Sequence, residues 1–220
     1  MSLPNPGDSE RTEINRLKQR SVSDRAAMYE ILDSTILCHI GYVDQGQPFV
    51  LPYAFVRDGD RILIHGSSGA RFMRELARGA PTCITVTKLD GLVLARTTFD
   101  SSMNYRSVVI LGQAEEISGA DKNELLEKVS DGLAPGRTLE VRKSTAKELA
   151  ATTLLSMSLA EASVKIRTGM PQDYEGTGTG VWSGVIPIHL VAGEPIASDE
   201  ESRNVPIPQS VKEYIKNPKG

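Results

Sequence analysis

Ile36-Leu37-Cys38-His39-Ile40-Gly41-Tyr42-Val43 is followed by Asp44-Gln45-Gly46, then by Pro48-Phe49-Val50-Leu51-Pro52-Tyr53-Ala54-Phe55-Val56, and, after Asp58-Gly59-Asp60, by Arg61-Ile62-Leu63-Ile64-His65. Three runs rich in β-branched and aromatic residues, parted by two short turn signals, describe a meander of antiparallel strands. The middle run is apolar on both faces, as expected of a strand with a barrel interior on one side and a second subunit or a ligand on the other. Pro52 has no N–H for a ladder bond and marks an edge or a bulge, where a ligand can approach backbone.

Outward from the meander, Ser23 is placed to cap a helix carrying Ala27, Met28, Ile31 and Leu32 at helical spacing. Residues 1–20 hold Pro4, Pro6, Gly7 and alternating charges without an apolar face. They read as a flexible arm that orders only against something else. A short helix is expected over 70–78, closed by Gly79. Strands follow over 82–88, 92–96 and 105–117, helices over 121–129 and 145–151, and strands over 154–167 and 181–191. Residues 197–220 form an extension in which Val211, Tyr214 and Ile215 predict a docked helix. One domain over 21–196, with many short strands and few helices, favours a mainly β, closed barrel with peripheral helices over a doubly wound sheet.

The 220 residues are 40% hydrophobic, enough for a real core in one domain. A formal charge of −3 argues against a nucleic-acid surface. Cys38 and Cys83 sit in separate apolar runs with no metal-binding spacing, which suits buried free thiols in a cytoplasmic protein. No run has the length or flanks of a membrane span or secretion signal.

Anion binding is the chemistry the sequence offers. Met103-Asn104-Tyr105-Arg106-Ser107-Val108-Val109-Ile110-Leu111-Gly112 puts Arg106 and Ser107 at the head of an apolar strand, and Asp90-Gly91-Leu92-Val93-Leu94-Ala95-Arg96 ends another run in arginine. Two strands are thus expected to bring cations to nearby positions. A guanidinium holds phosphate with a planar fork, which a lysine does not. His65-Gly66-Ser67-Ser68-Gly69-Ala70-Arg71 joins a strand to a helix. Free backbone N–H groups, two hydroxyls and Arg71 can converge there on a phosphate, although an ordinary capped helix fits the same residues. Gly176-Thr177-Gly178-Thr179-Gly180 precedes a strand instead of a helix and reads as a flexible connector. Trp182 is the sole tryptophan; its flat face can stack on an aromatic cofactor, although a lone tryptophan is more often core packing. His39, His65 and His189 lie on separate strands without metal-site spacing. No GxSxG elbow and no cysteine with an evident base are found.

Taken together, the 90–96 and 103–112 segments, Pro135-Gly136-Arg137 and Val181-Trp182-Ser183-Gly184-Val185-Ile186-Pro187 resemble the flavin-binding split-barrel family of pyridoxamine 5′-phosphate oxidase, in its branch that includes the nitroimidazole-resistance proteins. The resemblance implies a six-stranded antiparallel split barrel and a homodimer with FMN at the subunit interface. It implies that Val50, Leu51, Pro52 and Tyr53 wall the isoalloxazine, and that His65 and Gly66 lie under the ribityl chain. Ser67, Ser68 and Arg71 would meet the phosphate, while Arg106 and Ser107 close on the cofactor from the partner strand and Trp182 flanks the ring. There is one arginine where the oxidase commonly has an adjacent Arg-Lys pair. The oxidase's basic and histidine pattern for pyridoxamine is missing after Trp182, so vitamin B6 oxidation is not expected. The implied activity is an FMN-dependent oxidoreductase acting on a small molecule, with NAD(P)H as a candidate donor. The alternatives are a flavin carrier or sensor without turnover, and a heme or deazaflavin binder on the same barrel, for which His39, His65 or His189 would be the axial ligand.

Overall fold

The computed structural model describes residues 3–172, 178 and 180–219. In chain order the elements are α1 (Arg25–Asp33), β1 (Leu37–Asp44), β2 (Gln47–Ala54), β3 (Val56–Asp58), β4 (Arg61–Ser67), α2 (Arg71–Ala77), β5 (Thr82–Leu94), β6 (Ser102–Gly112), β7 (Glu115–Ile117), α3 (Asp121–Leu133), α4 (Ala146–Ala150), β8 (Thr152–Ser158), β9 (Ala162–Arg167), β10 (Gly184–Pro187), α5 (Glu200–Arg203) and α6 (Gln209–Lys216). A six-stranded sheet runs β2-β1-β5-β6-β9, with β10 on β5, and a four-stranded sheet runs β3-β4-β8-β7. Every pairing is antiparallel. Ile40, Ile84, Val108 and Ile110 from the larger sheet meet Ile62, Ile64, Leu155 and Met157 from the smaller in one buried core, which α1 covers with Met28, Ile31 and Leu32. This is the mainly β split barrel with peripheral helices that the sequence predicts.

The meander is divided between the two sheets. β1 and β2 pair without interruption from Leu37↔Ala54 to Asp44↔Gln47, across a turn whose Gln45 and Gly46 both take positive φ. Phe55 then carries the chain into the smaller sheet. Its N–H donates to the Ile36 carbonyl at 3.1 Å and its ring is buried. Pro52 sits on an edge strand in continuous register, so the edge reading holds and the bulge lies elsewhere, between Leu89 and Gly91 of β5.

That bulge joins the runs 82–88 and 92–96 into one strand ending at Leu94. At Gly91 a side chain would come within 2.8 Å of the Ile186 carbonyl oxygen, so β10 can approach only a glycine there. Three further boundaries differ from expectation. The run 105–117 breaks after Gly112 because the chain changes sheets, with β7 pairing β8. The run 154–167 is two strands, reversed where the Leu159 N–H donates to the Asp60 carbonyl at 2.9 Å. Only Gly184–Pro187 of 181–191 is strand: the pairing with β5 ends at its bulge, where the Ile188 N–H donates to the Asp90 carbonyl at 3.1 Å. The α1 cap is Asp24 instead of Ser23, its carboxylate accepting from the Ala26 N–H at 3.0 Å. Most of the glycine-rich connector lies outside the described residues.

The amino-terminal arm lies against β9. The Gly7 N–H donates to the Ala162 carbonyl at 2.8 Å, Ser9 Oγ to Glu161 at 2.7 Å, and Ser21 bridges Lys165. Arg25 clasps arm and barrel together, donating to the Pro4 carbonyl at 2.6 Å and to Asp60 at 2.8 Å. The Tyr29 hydroxyl also donates to Asp60, and the Arg57 guanidinium lies 4.4 Å from the Tyr29 ring centroid while pairing with Asp33. Hydrogen bonds from Tyr29 and Arg25 hold the Asp60 carboxyl below the ordinary carboxylate range. Folding depresses this pKa, so the stabilisation is complete above the unfolded value near about 4 and is lost as pH falls toward the folded value. Asp60→Asn is therefore expected to flatten the decline in melting temperature between pH 5 and pH 3. A wild-type decline no steeper than the variant's would remove Asp60 as its source.

Candidate functional site

Alternation along β4 sends neighbouring side chains to opposite faces. Ile62 and Ile64 enter the main core, while Leu63 joins Val129 and Leu154 in a second cluster beneath α3. Gly66 shares the core face. A side chain there would collide with the Tyr53 hydroxyl and approach Met73 Cγ at 3.0 Å. Tyr53 and Phe72 lie 5.2 Å apart between ring centroids, and Tyr42 adds Phe72 at 5.2 Å and a stack on Phe49 at 5.5 Å. Burial pushes the Tyr53 phenol upward, keeping it a neutral hydroxyl. Tyr53 and Gly66 are thus brought together on the barrel side.

His65 falls on the other face. It lines a cleft of about 220 Å³ with Leu126 and Glu127 of α3, Val141, Arg142 and Lys143 of the following segment, and Leu149 of α4. Its Nδ1 is buried without a hydrogen-bond partner. Burial lowers its pKa from the ordinary value of 6.5, so at neutral pH the imidazole is uncharged with a lone pair to offer. The cleft wall is held by ion pairs: Arg142 donates to Glu148 at 2.6 and 2.8 Å, and Lys143 to Glu127 at 2.7 Å. Thr145 and Glu148 form a capping box at the start of α4. Nothing in the sequence marks residues 138–149 as a site. The Thr145-x-x-Glu148 spacing was the available signal, but it announces a helix start and not a cleft.

The corner between β4 and α2 differs from a backbone cradle. The Ser68 N–H donates to the Ala151 carbonyl at 2.9 Å, Gly69 N–H to Ser67 Oγ at 3.2 Å, and Ala70 N–H to the Ser67 carbonyl at 3.0 Å. These three N–H groups are engaged and are not free for an anion. Arg71 remains at the corner, largely exposed and paired with the buried Asp44.

Arg106 and Arg96 are not neighbours. Arg106 stands opposite Lys88 while Val93 stands opposite Ser102, so Arg96 lies beyond the far end of the ladder, on the hairpin connection. Arg106 instead grips Asp90 with both prongs, at 2.9 and 2.7 Å, and this bonding raises its pKa. The pair lines a cavity of about 520 Å³ with Lys88 and His189, while Ser107 Oγ donates to the Lys165 carbonyl at 3.5 Å. The bulge at Asp90 is what sets the carboxylate beside Arg106, and adjacency in sequence gave no sign of it.

Within one chain Arg106 is remote from Arg71. Tyr42 pairs with Thr82 and Asp44 lies beyond it, whereas Arg106 pairs with Lys88; Thr82 to Lys88 alone spans roughly 20 Å at about 3.3 Å per residue. Trp182 is 63% exposed, its ring packed against Gly184 beside the distal end of β5. Val50 is 66% exposed on the edge strand β2, with Phe49 and Val43 also exposed nearby. Leu51, Pro52 and Tyr53 continue that strand toward α2. Cys38 and Cys83 are free thiols, and burial pushes Cys38 up to about 12, which leaves it inert. Among the described residues no group of three or more His, Cys, Asp and Glu could hold a metal ion, and no helix is long and apolar enough to cross a membrane.

Two solved structures resemble the chain over nearly all its length. The flavocytochrome Anf3 from Azotobacter vinelandii is 42% identical, with a TM-score of 0.87, covering 93% of this chain and 96% of its own. The FAD and heme binding protein from Mycobacterium smegmatis is 38% identical, with a TM-score of 0.85, covering 88% and 96%. A structure named for 5-nitroimidazole antibiotic resistance, from Bacteroides thetaiotaomicron, shares the fold at 20% identity and a TM-score of 0.55, covering 66% of this chain and 86% of its own. A search of curated proteins finds no match. The model describing pyridoxamine 5′-phosphate oxidase matches residues 24–166. With that match across most of the barrel, and two relatives above 30% identity over nearly the whole molecule, the chain belongs to the pyridoxamine 5′-phosphate oxidase family.

Proposed function

We propose that this chain is a redox protein that binds both a flavin and a heme. The observation that carries the reading is its likeness, at 38% and 42% identity and almost full length, to proteins named for FAD with heme and for a flavocytochrome. The flavin in this reading is FAD in place of the FMN expected from sequence. The more distant nitroimidazole-resistance likeness carries the fold alone.

The residues present fit both groups. His65 would hold the heme iron, since its neutral imidazole offers an orphaned nitrogen in a cleft that sets Leu126, Val141 and Leu149 beside hydroxyl and charged groups. Arg142 and Lys143 at the cleft rim carry the charge that would face carboxylate groups. For the flavin, the exposed edge strand β2 offers backbone and apolar wall at Val50, Leu51, Pro52 and Tyr53. Ser67, Ser68 and Arg71 stand at one end of that strand. A flavin supplies hydride and single-electron chemistry and a heme single-electron chemistry, while the protein sets position, polarity and access to water.

A homodimer belongs to this reading. Arg106, Ser107 and Trp182 lie too far along β5 to meet a flavin held at Arg71 of the same chain, so a second copy would bring them to it. The exposed apolar residues Val43, Phe49 and Val50 support such a contact. Oxidoreductase turnover with a small-molecule donor, NAD(P)H among the candidates, is the proposed activity, and the free thiols suit a reducing cytoplasm.

Purified protein is expected to show a flavin band together with a Soret band, and to release FAD and heme on denaturation, identified by mass. Release of FMN or a deazaflavin would replace the flavin assignment. A protein that neither carries heme nor takes up added hemin would remove the heme half of the proposal.

A further inference from the structure

We propose that Arg74, on the exposed face of α2, takes the second phosphate of a dinucleotide flavin and is the residue by which this chain prefers FAD to FMN; this rests on the flavin reading above. Arg71, Arg74 and Arg78 recur at spacings of three and four along one helix, so their guanidinium groups share a face, and with Asp44, Gln45 and Glu75 they line one polar cleft. The charges in that cleft are not matched. Arg71 pairs with Asp44 and Arg78 with Glu75 at 2.6 Å, while the Arg74 side chain pairs with no group among the described residues. The cleft therefore presents one surplus cation.

Two observations turn that surplus toward a diphosphate. First, the amides of Ser68, Gly69 and Ala70 are already engaged, by Ala151 and Ser67, so the guanidinium groups are the charged donors this corner offers an anion. Guanidinium forks match phosphate oxygens. Second, one helical step of three residues separates Arg71 from Arg74 by roughly 4.5 Å along the axis, the scale of two linked phosphates. A monophosphate seated at Arg71 leaves Arg74 solvated, whereas a diphosphate engages both. The buried Asp44 occupies part of the Arg71 fork and repels a phosphate seated there, which increases the share of the binding that Arg74 must carry in FAD.

The test is a fluorescence titration of flavin-depleted, full-length protein with FAD and, separately, with FMN, for the wild type, Arg74→Ala and Arg74→Lys. Arg74→Ala is expected to weaken FAD about tenfold and FMN less than about twofold, the tenfold corresponding to roughly 1.4 kcal/mol. Arg74→Lys, which keeps the charge but loses the fork, should recover part of the FAD affinity. Unchanged FAD affinity in Arg74→Ala, or equal losses for both flavins, overturns the assignment while leaving the flavin reading intact. A wild type that binds neither flavin overturns both.

Discussion

His65→Ala is expected to abolish the Soret band of the purified protein while leaving its flavin absorbance in place. The chain has three histidines, so the comparison can be exhaustive. His39 points away from the core on β1, and His189 follows β10 in the cavity beside Arg106. Only His65 combines a buried, unpartnered ring nitrogen with a cleft. Burial lowers the imidazole pKa and so favours the neutral ring that a heme would take. The substitution removes a ring that closes one wall of a surface cleft and leaves the core face of β4 untouched, so the fold and a flavin at the edge strand should survive. Parallel His39→Ala and His189→Ala proteins should keep the Soret band. Retention of the band in His65→Ala, with its loss in either of the others, would move the heme to a different part of the barrel.

Phe55→Ala should destabilise the fold by about 3–5 kcal/mol, the range for removing a fully buried aromatic ring from a packed core. Phe55 is 1% exposed and stands where the chain crosses between sheets, so both sheets lose contacts when the ring goes. Its backbone bond to Ile36 remains available, which confines the change to packing. The check is chemical denaturation with the two proteins compared at equal slope. A loss under about 1 kcal/mol would mean that the two sheets stabilise themselves separately.

The fold was legible where the pattern was local. Alternation in 36–65 and the turn residues Gln45, Gly46 and Gly59 specified hairpins, and the structure contains them. What sequence could not show was which strands change sheets. Phe55 and the break after Gly112 look like interruptions within a run, and only the partner strand tells a bulge from a crossing. The site was less legible for the same reason. His65 and Gly66 are adjacent in sequence and the resemblance places both under the ribityl chain, but a strand sends consecutive side chains to opposite faces. One therefore meets α3 and the other Tyr53. Asp90 beside Arg106 depends on a bulge, and Arg142 beside Glu148 on how a long loop folds back, neither of which has a sequence period.

The arm against β9 bears on the order in which the molecule can be completed. β9 is the last strand of the larger sheet's main path, and the residues that cover its outer side lie far ahead of it in the chain. Those residues must wait for more than a hundred others to be made before Lys165 exists to receive Ser21. Until then the growing sheet has an open rim that any passing strand could join. Sealing that rim is therefore a late event of synthesis, in which a segment made early closes an edge made long after it.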